Sequence, residues 1–161
     1  DHRDLHSFPT RRSSDLATKI ENGAMNGEQL GYFNNSLVLN SKENFKHNNL
    51  HGIQEYFSIS GHLAQKTYFE NGVEIGPSIC FFKSGKVETK EEFKVDTNES
   101  SYVIYYENGI KRVEGQYQNK QPFGEWIFWD EKGIEVKKVN INSEKEKMKI
   151  IIFLYDLKAN K

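Results

Sequence analysis

The sequence predicts an all-β fold, an elongated antiparallel meander of tandem 24-residue β-hairpin repeats that forms a single open sheet. Three observations lead to this fold class. Glycines recur every 24 residues, aromatic residues recur at the same spacing, and strand-length runs lie between residues typical of turns. Self-similarity at a fixed period is the signature of a repeat architecture. The glycines that set the period are Gly61, Gly85, Gly109 and Gly133.

Two aromatic positions index the repeat, and we call them the first slot and the second slot. Aromatic residues make up 13% of the chain, so nine consecutive aromatic hits at these two positions are far beyond chance. We expect them to form a ladder that each hairpin buries against its neighbours. The first slot holds Phe33, Phe57, Phe81, Tyr105 and Trp129, and the second slot holds Phe45, Phe69, Phe93 and Tyr117.

Each unit contains two strand-like runs joined by a short loop. The first run is apolar on both faces, as in residues 102–106, whereas the second alternates and is more polar, as in residues 87–93. The period glycines follow the first run, where a hairpin loop needs a positive φ. Turns between units carry asparagine, which also tolerates a positive φ, at Asn48-Asn49, Asn71-Gly72, Asn98 and Asn119.

The two ends of the array are degenerate, as is expected of terminal repeats. The first unit keeps Tyr32 and Phe33 in phase but has Leu37 where the loop glycine belongs. The last segment, residues 144–161, keeps Ile152 and Phe153 in phase and has Leu157 at the glycine position. Its charged beginning is also compatible with a short amphipathic helix, so strand and helix both remain open.

Residues 1–16 resemble the in-frame translation of a short-read sequencing adapter, which matches all sixteen residues in order. We therefore expect the native protein to begin near Ala17 and to form one repeat array over residues 17–161, with clear units at about 45–141. A targeting signal that preceded the array would have been lost with the natural N-terminus.

Composition argues against several functional classes. A net charge of −1 gives no electrostatic case for nucleic acid and no strong case for a membrane surface. The three histidines of the array, His47, His51 and His62, show no metal-ligand spacing on a shared face. No catalytic triad or phosphate-binding loop is recognisable either. We therefore expect a non-enzymatic protein that has no metal and no cofactor.

The repeat resembles the bacterial variant of the MORN repeat. The resemblance is carried by the segments 68–76, 105–109, 115–119 and 123–129, and it covers residues 45–141 well and 28–161 more weakly. Ser100 replaces a glycine of the pattern, Asp96 and Lys120 replace the glycine of an Asn-Gly turn, and Cys80 replaces an aromatic residue. Proteins built wholly of such repeats are identified as members of the YwqK-like antitoxin family.

The resemblance implies a binding scaffold, and an antitoxin or immunity protein that masks a toxin is its most specific form. It would then be cytoplasmic, although the localisation stays open, as does the oligomeric state. The alternative is a surface- or envelope-associated structural repeat protein. Tyr102, Tyr106 and Trp126 flank the aromatic slots and are the candidate protein-binding residues if their sheet face is exposed. If that face is covered, they belong to the core.

Overall fold

A computed structural model describes residues 19–21, 23–34, 36–94 and 96–159, and it confirms an all-β antiparallel meander with one C-terminal helix. The proposed adapter segment, residues 1–16, lies outside the described residues. The elements are β1 (Lys19–Glu21), β2 (Ala24–Tyr32), β3 (Leu39–Lys46), β4 (Asn49–Leu50), β5 (Gly52–Phe57), β6 (Leu63–Glu70), β7 (Val73–Glu74), β8 (Ser78–Phe81), β9 (Val87–Lys94), β10 (Glu99–Tyr105), β11 (Lys111–Gln118), β12 (Gln121–Trp129), β13 (Glu135–Ile141) and α1 (Glu144–Ala159).

The described strands form one open sheet in which neighbours follow chain order. The two-residue strands β4 and β7 lie off this path and pair with β3 and β6. Each repeat from the second onward is a hairpin of its two runs, namely β5–β6, β8–β9, β10–β11 and β12–β13. The sheet order is therefore a direct consequence of local pairing between consecutive runs.

The loop glycines adopt the conformation that the sequence predicts. Gly109, for example, has a φ of 89° and donates its N–H to the Tyr106 carbonyl at 2.8 Å. Tyr106 in turn donates to the Ile110 carbonyl at 2.8 Å, which closes a three-residue loop. Such loops need a left-handed residue at their last position, and glycine adopts it without strain. Next to this loop the pairing register of the two strands shifts between Ile104 and Tyr105. The shift is a β-bulge, and Arg112 is its extra residue.

Three of the turns between units have two residues, both with a positive φ, whereas the turn between β9 and β10 is longer. His47-Asn48 has φ values of 50° and 67°, and Asn119-Lys120 has 52° and 63°. The first of these turns is therefore one residue earlier than the predicted Asn48-Asn49. Both turns match the type I′ geometry, which fits the right-handed twist of antiparallel strands. Lys120 thus takes a conformation that glycine would adopt more easily, at a modest cost in strain.

The first hairpin departs from the predicted phase by one residue. Tyr32 lies opposite Leu39, as Phe57 lies opposite Leu63 in the next unit, so Tyr32 and not Phe33 occupies the first slot. Phe33 instead closes the loop, where its N–H donates to the Val38 carbonyl at 3.0 Å. This loop is one residue longer than the glycine loops and has no period glycine. The longer loop explains why Tyr32 rather than Phe33 occupies the first slot.

The two aromatic slots lie on opposite faces of the sheet, so the expected single ladder is wrong. Tyr105 and Trp129 each follow a buried residue of the same strand, and successive side chains of a strand point to opposite faces. Tyr117 of the second slot shares the face of Tyr102, whose ring centre lies 5.5 Å away. We call the face of Tyr117 the helix-side face and the face of Trp129 the outer face. First-slot residues Phe57, Phe81, Tyr105 and Trp129 are only half-buried.

The C-terminal segment is a helix, which settles the alternative that the sequence left open. Helix α1 packs on β12 and β13, and the side chains of Ile150 and Leu154 are buried against the helix-side face. Ile150 is 2% exposed, whereas Ile152 is 54% exposed. The core lies under this helix and consists of Tyr102, Ile104, Val113, Trp126, Phe128, Ile150 and Leu154.

A capping box starts the helix. Ser143 accepts a hydrogen bond from the Glu146 N–H at 3.3 Å, and the Glu146 carboxylate accepts one from the Asn142 N–H at 2.8 Å. A serine followed three residues later by glutamate satisfies two of the N–H groups that a helix start leaves free. The bond from Asn142 is the main reason that the pKa of Glu146 is lowered from its ordinary value.

We expect the Glu146→Gln substitution to destabilise the protein in a pH-dependent way. A carboxyl group whose pKa is lower in the folded state stabilises the fold above its unfolded pKa, about 4.3, and this contribution disappears as the pH falls through the folded pKa. Glutamine can accept the same hydrogen bond but has no charge. Urea unfolding should show a less stable variant at neutral pH and a difference that shrinks in acid. A difference independent of pH would contradict this assignment.

Candidate functional site

Tyr102 and Trp126, two of the candidate binding residues, belong to the core. Trp126 is 0% exposed and Tyr102 is 7% exposed. The Trp126 ring lies so close to Gly115 that a Cβ atom on this glycine would be 2.2 Å from it. Burial raises the pKa of Tyr102 to about 12. The helix covers this part of the sheet, so the interpretation of these two residues as an exposed binding surface is wrong.

Tyr106, the third candidate, is half-buried at the end of its hairpin. Its hydroxyl donates to the Trp129 carbonyl at 2.9 Å and so ties one hairpin to the next. The guanidinium carbon of Arg112 lies 5.2 Å from the centre of the Tyr106 ring, within the range of a cation–π contact. Tyr106 therefore has a structural role and also borders a cleft between the helix and the sheet.

The helix covers only the last strands of the helix-side face, and a cleft of about 960 Å³ opens where this cover ends. We call it the open-face cleft. Phe82 and Thr89 border it on the sheet, and Phe153 and Leu157 border it on the helix. Mixed apolar and polar walls of this kind are typical of recognition sites.

The floor of the helix-side face changes character at this cleft. Gln54, Ser78, Tyr102 and Trp126 occupy equivalent positions, 24 residues apart, in four successive units. The two aromatic members lie in the core beside the helix, whereas the two polar members lie beyond it. Polar groups that are removed from water need hydrogen-bond partners. The polar side chains on the part of the sheet that the helix does not cover must therefore be bonded to each other or to water.

Hydrogen bonds hold this polar floor together. The Gln65 amide donates to Thr67 Oγ1 and to Ser78 Oγ, both at 3.3 Å. Further along the face, Ser100 Oγ donates to the Glu91 carboxylate at 2.5 Å. The buried Thr67 and Ser100 thus hold Gln65, Ser78 and Glu91 in position, and these three side chains line the cleft.

The outer face is solvated and carries ion pairs. Lys138 Nζ lies 3.1 Å from the Glu125 carboxylate, and Lys66 Nζ lies 3.6 Å from that of Glu55. Ion pairs at or near the surface contribute on the order of 0–1 kcal/mol each. The charged outer strand residues therefore support solubility and register more than stability.

The sequence patterns do not indicate the residues that shape the open-face cleft. Leu157 was assigned to a degenerate loop position, whereas it packs at the end of the helix. One signal was available: Ser143 and Glu146 form the capping-box spacing that marks a helix start. Phe82 directly follows β8, and its exposure depends on where the helix ends, which no local pattern encodes.

Within the described ranges, no group of three or more histidine, cysteine, aspartate or glutamate residues could hold a metal ion. The described part of the chain also contains no helix that is long and apolar enough to span a bilayer. Comparison with models of protein families and with curated proteins finds no match for this chain.

Proposed function

We propose that this chain is a non-catalytic protein-binding scaffold whose partner docks at the open-face cleft. The observation that carries the proposal is the partial cover of the helix-side face. The helix leaves a cleft of about 960 Å³, with Phe82 on one wall and Leu157 on the other. Aromatic and aliphatic anchors that meet in a pocket are where protein interfaces concentrate their binding free energy.

The polar floor next to the cleft supports a protein partner. Protein interfaces combine an apolar centre with a polar surround that makes hydrogen bonds. The cleft supplies the centre, and Gln65, Thr67 and Ser78 supply ordered polar groups beside it. A rigid sheet presents these groups in fixed positions, which lowers the entropy lost on binding.

The finer form of the proposal is an antitoxin whose partner is a toxin. It rests on the resemblance to the MORN-repeat variant, carried by motifs such as residues 105–109 and 123–129. A toxin whose active surface is bound in the open-face cleft would be sterically masked. Such inhibition needs no catalytic group in this chain.

Co-expression with the products of neighbouring genes tests this function. We expect one neighbour to arrest growth when expressed alone and the chain to restore growth by binding it. The Phe82→Ser substitution should weaken that rescue, because it removes an apolar wall of the cleft. Serine occupies the equivalent position, Ser58, one repeat earlier, so the hairpin should tolerate the change.

The matched control is Glu92→Ser on the outer face, where Glu92 lies opposite Ser101. This variant should bind and rescue as the parent does. Failure of the parent chain to relieve any toxic neighbour contradicts the antitoxin assignment. Equal binding by the parent and the Phe82→Ser variant contradicts docking at the open-face cleft.

A further inference from the structure

The last strand of the sheet has an unoccupied edge. Strand β13 pairs with β12 on one side, and on its other side the described residues place no strand. A strand at an edge presents a row of N–H and C=O groups that can pair with another extended chain. Proteins use such edges to bind peptides by adding a strand.

A second cleft, of about 620 Å³, lies between this edge strand and the first half of helix α1, and we call it the edge cleft. Val136 and Val139 of β13 and Ile150 of the helix contribute apolar surface to it. Phe128 and Phe153 also border it, with ring centres 5.1 Å apart in an edge-to-face contact. An added strand would therefore have a preformed depression beside it for its side chains.

The edge cleft is strongly cationic although the chain is nearly neutral. Its lining contains four cationic residues, Arg112, Lys137, Lys138 and Lys149, and one carboxylate, Glu146. That carboxylate accepts the hydrogen bonds of the helix cap and also interacts with Lys149, which leaves three positive charges in excess. The excess of positive charge therefore faces the space beside β13.

Two of the cations are held in position by aromatic rings. Lys137 Nζ lies 5.6 Å from the centre of the Phe128 ring, and the Arg112 guanidinium lies 5.2 Å from that of Tyr106. Cation–π contacts of this length orient a cation without neutralising its charge. Lys138 differs, because it forms an ion pair with Glu125 on the outer face. Lys137 on β13 and Lys149 on α1 line the cleft from its two sides, so they are the cations best placed to meet an anion between these elements.

We propose that the edge of β13 binds an extended acidic segment of a partner protein as an added strand, with its carboxylates against Lys137 and Lys149. The acidic side chains would point to the helix-side face at every second residue, because strand side chains alternate between faces. This site shares Arg112 and Phe153 with the open-face cleft, but β13, Lys137 and Lys149 line only the edge cleft.

Charge disfavours a second copy of this chain as the occupant. Antiparallel pairing of two β13 edges would bring Lys137 and Lys138 of each copy close to those of the other. Like charges across a strand pair are destabilising. The geometry also disfavours nucleic acid, because Phe128 and Phe153 already pack on each other and do not offer free faces for base stacking.

Fluorescence anisotropy with the full chain and a labelled peptide of about ten residues, alternating glutamate and threonine, tests the proposal. We expect saturable binding that weakens with salt. The same peptide with glutamine for glutamate should bind at least about tenfold more weakly, because it loses the charge complementarity. An acidic peptide N-methylated at every residue should also bind weakly, because it has no backbone N–H left to donate to the strand edge.

Charge-reversal variants locate the site. Lys137→Glu and Lys149→Glu should each reduce the affinity about tenfold. Lys83→Glu, which makes the same change in net charge at the open-face cleft, should leave it nearly unchanged. An equal loss with Lys83→Glu, or equal binding of an oligothymidylate of the same charge, would overturn the proposal in favour of non-specific attraction of anions. Full binding by the N-methylated peptide would overturn strand addition.

Discussion

Replacing Trp126 by alanine should destabilise the protein by about 3–5 kcal/mol, the range for truncating a large buried aromatic side chain. Trp126 is fully buried between the helix and the sheet, and its ring meets Tyr117 edge-on at 5.5 Å. The substitution leaves a cavity beneath the helix and also removes the Nε1 donor to the Phe123 carbonyl. Chemical denaturation with tryptophan-independent detection, such as far-ultraviolet circular dichroism, measures the effect.

Trp129→Ala is the matched control, because Trp129 is the same residue type on the same strand but lies half-buried on the outer face. Its ring contacts the Lys111 ammonium group, 5.9 Å from the ring centre, near solvent. We expect a loss on the order of 1 kcal/mol, because less apolar surface is buried there. Equal losses for the two variants would mean that the helix does not cover the face of Trp126.

The Gly115→Ala substitution should be nearly as damaging, although it adds a single methyl group. The new Cβ atom would lie 2.2–2.5 Å from three atoms of the Trp126 ring, far inside van der Waals contact. A buried indole ring cannot move aside without displacing the helix. We expect a loss of about 3 kcal/mol, at the upper end of the range for overpacking. Thermal unfolding of the single variant gives the measurement.

A double-mutant cycle separates this steric effect from a backbone effect. Gly115 has no positive φ, so alanine is compatible with its backbone and by itself would be favourable in a strand. In the Trp126→Ala background the clash is gone, and Gly115→Ala should then cost little. Additive losses of the two substitutions would contradict a direct contact between residue 115 and the indole ring.

The hairpins of this protein could be predicted because their determinants are local. Gly109 forms its loop through bonds within residues 106–110, and the same glycine recurs 24 residues later as Gly133. In the first unit the local pattern predicts the wrong residue for the first slot. There the missing glycine lengthens the loop, and Tyr32 replaces Phe33 in the slot.

The candidate sites were less predictable for a physical reason. Tyr102 and Trp126 were correctly singled out as lying outside the aromatic slots, but the choice between core and binding surface depended on a helix more than ten residues further along the chain. The edge cleft joins Arg112, Lys137 and Lys149, which lie on three separate elements. No spacing within one element indicates such a combination.

The sequence by itself determined the repeat, the order of the strands and the places where the chain turns. These features follow from the conformations open to two to five consecutive residues, and glycine and asparagine select among them directly. Only the tertiary structure decided which aromatic residues are buried and which clefts stay open. In the last two units both faces of the first strand, β10 or β12, carry apolar residues, so burial depends on which face the remote helix α1 covers and on where that cover ends.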